Sequence, residues 1–141
     1  MDIIQEFLNF NKKDRTDNSS AIKLKFMNDW IIVICMEGRE DIFLIKKKLK
    51  IAEKHYSKMI SIVISAYDKG KMDLKKFFPN KDEFISILHP RYMVMNYDSG
   101  VYTGFSFYIG SFHITQVMNG KQPVFEFDIK DRMSKTFTMF E

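Results

Sequence analysis

The chain has 141 residues, 45% hydrophobic and 15% aromatic, with a formal net charge of +4 and a pI of about 9.1. Its 14 Phe and 6 Tyr exclude a disordered chain. The length predicts one domain, 1–141, able to bury a core without metal or disulfide staples. The single cysteine, Cys35, excludes an internal disulfide and sits in an apolar run, which predicts a buried, inert thiol.

In chain order, residues 2–10 read as a helix, with Ile3, Ile4, Phe7 and Leu8 on one face and Asp2 as its N-cap. Asp2 and Glu6 stand where a signal peptide would carry basic residues, so a cytoplasmic protein is expected. Residues 11–20 are a polar loop. Residues 21–27 alternate strictly, with Ile22, Leu24 and Phe26 facing one way and Lys23 and Lys25 the other, as in a half-buried strand. A turn at Asn28–Asp29 then leads into Trp30–Met36. That run reads as a strand buried on both faces, is too short to span a bilayer, and is broken by Gly38.

From Glu40 the period lengthens. Ile42, Ile45, Leu49, Ala52, Tyr56, Met59, Val63 and Ala66 form one stripe of a long helix with Gly70 as its stop signal. The β-branched stretch 59–67 also suits a strand, but the helix is the favoured reading. Asn80 and Glu83 form a capping box for a short helix that ends before His89-Pro90. Strands follow at 91–97, 101–109, 111–118 and 123–129, with turns at 98–100 and Asn119–Gly120. The tail, 130–141, reads either as an edge strand or as loose chain. The expected fold is α+β. An antiparallel sheet, made of the N-terminal hairpin and the C-terminal meander, packs one face against the long helix and a short helix. The other face is partly polar.

Two His-x-Ser/Thr triplets, His55-Tyr56-Ser57 and His113-Ile114-Thr115, raise the chemistry of two-histidine phosphoesterases. That chemistry needs both imidazoles on adjacent strands, and His55 has helical spacing. A two-residue turn at Asn119–Gly120 sets His113 opposite Glu126 and Ser111 opposite Asp128, with Phe112, Ile114, Phe125 and Phe127 on the apolar side. His113, Glu126 and Asp128 then form a polar face; Tyr102, Ser106 and Tyr108 alternate together, and the two tyrosines either share an outward face near His113 or are covered by a helix. A Ser–His–acid triad is disfavoured, because Ser111 and His113 would stand roughly 7 Å apart along a strand and no nucleophile elbow is present. The histidines and the cysteine lack zinc spacing, no phosphate loop occurs, and no cofactor is expected. The lysine runs at 46–50 and 69–76 read as solvated helix faces. A nucleic-acid footprint would interleave basic residues with exposed aromatics, and the sequence shows no such pattern.

From residue 21 onward, the order of elements ends in "DEFISIL" (82–88), a turn at Asp98-Ser99-Gly100, "FYIGSFHITQV" (107–117) and "VFEFDI" (124–129). It resembles a bacterial family classed as a domain of unknown function, some members of which lie beside toxin genes and are regarded as immunity proteins. The family's Phe-Trp-Gly-His-x-Ile motif follows an Asp-Gly turn. Here its Trp is missing and Gly110 is not followed directly by His, so either Ser111 or His113 stands at the family histidine. The resemblance implies binding of a toxin partner and no catalytic role. The expected function is therefore non-enzymatic protein binding, with His113, Glu126, Asp128, Tyr102 and Tyr108 as candidate binding residues. The alternatives are a small phosphoesterase or hydrolase using His113, and a phage anti-defence or nucleic-acid-binding protein.

Overall fold

A computed structural model describes residues 19–110 and 124–129. The expected helix at 2–10, residues 11–18 of the polar loop, the strand at 111–118 with its Asn119–Gly120 turn, and the tail lie outside them. Five strands form one sheet in the order β1-β2-β3-β4-β5: β1 (Ser20–Phe26), β2 (Asp29–Cys35), β3 (His89–Asp98), β4 (Val101–Gly110) and β5 (Val124–Ile129). The helices are α1 (Ile42–Asp68), the single turn α2 (Leu74–Phe77) and α3 (Lys81–Ser86). The α+β class is as expected, but the sheet is not antiparallel throughout. β2 and β3 run parallel, because α1 lies between them and carries the chain back to the end of the sheet where β2 began, as any parallel pair requires.

Local chemistry accounts for the helices. Asp41 accepts the Leu44 N–H at 3.1 Å and caps the first turn of α1. The helix runs unbroken through 59–67 to Asp68, and Gly70 takes the left-handed φ of +70° just beyond it. Asn80 accepts the Glu83 N–H at 3.0 Å and starts α3. Tyr67, near the end of α1, donates from its hydroxyl to the Phe78 carbonyl and stacks on Phe84 at 4.8 Å, which locks α3 onto the helix.

α1 covers one face of the sheet. Ile45, Leu49, Ala52, Met59 and Val63 meet Phe26, Ile31, Val33, Met93, Met95, Phe105, Phe107, Ile109, Phe125, Phe127 and Ile129 in the main core. Burial of this apolar area is the principal stabilising term. Ile42, the first stripe residue, is 40% exposed because the helix begins there, clear of the sheet. Cys35 is fully buried in the same core. Its thiol is pushed up to about 11 by burial and then by the charge of Glu40. The opposite face carries a smaller cluster: Ile32, Ile34, Tyr92, Tyr108 and Val124.

Beyond the C-terminal end of β2, a 3-10 turn, Met36–Gly38, meets the β3–β4 turn. The Gly100 N–H donates to Glu37 Oε1 at 2.7 Å. Gly100 has φ +81°, and a Cβ there would stand 2.9 Å from the Arg39 guanidinium.

Candidate functional site

The candidate residues on β4 and β5 are positioned by register. Strand alternation turns Phe125, Phe127 and Ile129 into the main core and leaves Val124, Glu126 and Asp128 on the opposite face. The expected partners of the two acids are His113 and Ser111. In the structure the strand beside β5 is β4, which pairs Tyr108 with Glu126 and Ser106 with Asp128. His113 lies outside the described residues.

The result is a polar row crossing three strands. Asn96 on β3 donates to the Ser106 hydroxyl at 3.2 Å, and Ser106 donates to Asp128 Oδ1 at 2.7 Å. Glu126 lies beside both the Asp128 carboxyl and the Tyr108 hydroxyl, which faces it across the ladder. Tyr92 stacks on Tyr108 at 4.3 Å. Burial raises the Glu126 carboxyl above the ordinary glutamate value of 4.5. The hydrogen bond and charge of Asp128 raise it further, and the Tyr108 hydroxyl opposes them. Glu126 therefore gives up its proton at a higher pH than a free glutamate does. Burial, and then Glu126, hold the Tyr108 phenol well above the ordinary range, so it acts as a neutral donor.

Tyr102 and Tyr108 do not share an outward face. The pairing shifts between Asn96↔Gly104 and Tyr97↔Tyr102, which leaves Thr103 as an extra residue on β4, and Gly104 has φ +138°. A bulge of this kind reverses alternation. Tyr102 therefore turns to the helix side, where it meets Tyr97 edge-on at 5.7 Å and lies 5.3 Å below the Lys48 ammonium. Tyr108 stays on the far face and is only 8% exposed. Neither tyrosine is a free surface anchor. His55 is on α1, across the sheet from Glu126, and His89 Nδ1 is 3.0 Å from the Ile87 carbonyl. Among the described residues no three His, Cys, Asp or Glu side chains are grouped to hold a metal. No helix among them is long and apolar enough to cross a membrane.

The surface that the sequence reading missed is the β1–β2 hairpin. The turn falls at Met27–Asn28, one residue earlier than expected, so Lys25 pairs with Trp30 and Phe26 with Asp29. Moving a two-residue turn by one position shifts the pairing by two residues, so the faces are kept and the direct partner of Trp30 changes from Met27 to Lys25. Trp30 lies on the lysine face and is 51% exposed, where a strand buried on both faces had been expected. The Lys23 and Lys25 ammonium groups lie 5.6 and 5.3 Å from its ring centroid. Each such contact is worth about 0.5–1 kcal/mol at an exposed site. This is the interleaving of basic and exposed aromatic side chains that the linear sequence does not display. Met27, at the turn, is 54% exposed and takes φ +56°, a conformation that glycine or asparagine usually fills.

Comparison with known proteins yields no match among protein-family models, curated proteins or solved structures.

Proposed function

We propose that the protein is a non-enzymatic protein-binding module that acts as an immunity protein, neutralising a cognate bacterial toxin by covering its active site. The observation that carries this reading is Trp30, a half-exposed aromatic fixed in a regular hairpin and braced by Lys23 and Lys25. Tryptophan is a favoured anchor at the centre of protein interfaces, and a side chain already held in place loses little entropy when it is covered. The +4 net charge speeds encounter with an acidic partner. The likeness in element order to a family with toxin-linked members agrees with this role.

Co-expression with the products of adjacent genes tests it. The expected outcome is a complex that survives gel filtration and restores growth against a toxic neighbour. If no neighbouring product binds and none is neutralised, the proposal is wrong.

A further inference from the structure

We infer that the docking surface is the outer face of the β1–β2 hairpin, formed by Lys23, Lys25, Met27 and Trp30, and that its occupant is an acidic segment of the partner protein. In that pairing, carboxylates meet the two lysines and an apolar side chain covers the tryptophan and methionine. The inference rests on the protein-binding reading and names the face and the partner chemistry.

Three observations converge on this hairpin. Trp30 and Met27 are two of the large apolar side chains left more than half exposed, and both belong to it. Lys23 and Lys25 are exposed on the same side as Trp30 and supply two positive charges beside it. Met27 occupies a left-handed position where glycine or asparagine would cost less, and it is 54% exposed there. An exposed apolar residue kept at a strained turn is best accounted for by a contact outside the chain.

The placement of the lysines selects the occupant. Both ammonium groups lie over the indole ring, so a nucleobase could stack there only by displacing them, whereas a carboxylate can approach them with the cation–π contacts intact. Single-stranded nucleic-acid platforms instead present successive open aromatic faces along a groove.

Trp30 is the only tryptophan of the chain, so its fluorescence reports on this face alone. The probe is a short synthetic peptide alternating glutamate with leucine and phenylalanine, added to the full chain. The expected result is a saturable blue shift of Trp30 emission. The Lys23→Glu/Lys25→Glu protein should weaken the apparent affinity at least about tenfold, and Lys23→Gln/Lys25→Gln should give an intermediate loss. Circular dichroism identifies any variant that fails to fold, and the wild-type titration decides the matter without either.

An emission spectrum unchanged up to millimolar peptide overturns the inference. So does a shift that the charge-reversed protein reproduces with equal affinity. A larger shift with oligothymidylate that collapses with added salt overturns it in favour of nucleic acid. A shift that depends only on the protein's own concentration overturns it in favour of a second copy. If a neighbouring gene product binds wild-type and charge-reversed protein equally, the protein-binding role stands and only the hairpin assignment fails. If no product binds at all, the role itself fails.

Discussion

Replacing Glu126 by glutamine tests the raised carboxyl in the polar row. Burial and the neighbouring Asp128 carboxyl favour the protonated form of Glu126. A carboxyl whose folded-state pKa lies above its unfolded value binds its proton more tightly in the native protein. Glu126 therefore contributes its full stability below the ordinary glutamate value of 4.5 and loses it as pH rises through the raised folded value. Glu126→Gln stays neutral at every pH, and its amide oxygen can still accept from Tyr108. Ionising a half-buried carboxyl beside another costs about 1 kcal/mol, so the variant should match the wild type in acid and exceed it by about 1 kcal/mol at neutral pH. For a domain of this size that corresponds to roughly 2–4 °C in Tm. Urea and thermal unfolding across a pH series measure both curves. A variant less stable than the wild type at neutral pH, or a difference that does not change with pH, would refute the raised Glu126 carboxyl.

Three further outcomes follow from single contacts. Tyr67→Phe removes the buried donor to the Phe78 carbonyl and should cost about 1–2 kcal/mol in urea unfolding; a loss of only a few tenths would mean that the bond does not anchor the segment after α1. Gly100→Ala puts a Cβ at φ +81° and against the Arg39 guanidinium, a mobile side-chain end, so backbone strain dominates and about 1–2 kcal/mol should be lost from the urea midpoint. Cys35, buried and with its thiol pushed up to about 11, should react with iodoacetamide at neutral pH at least about a hundredfold more slowly in the native protein than in urea. Comparable rates would show that the core around β2 opens readily.

Much of this architecture is local and therefore written in short stretches of sequence. The stripe from Ile45 to Ala66 forms one buried helix face because apolar residues recur every three or four positions. Asn80 and Glu83 start α3 because a side-chain oxygen satisfies a free N–H three residues on. Alternation alone placed Phe125 and Phe127 inside and Glu126 and Asp128 on the other face. What alternation cannot specify is the neighbour across the ladder, because that depends on where turns and bulges fall. The turn at Met27–Asn28 set Trp30 directly opposite Lys25, and one extra residue at Thr103 sent Tyr102 to the helix side and left Tyr108 on the far one. The parallel pairing of β2 with β3 and the meeting of Glu126 with Tyr108 join residues far apart in the chain, through sheet order. The sequence by itself determined the elements, their caps and the side of each strand that faces the core, because hydrogen bonding and burial act there over a few residues. Only the tertiary structure decided which side chains stand together on the sheet surface, because strand order and register arise from packing the whole chain.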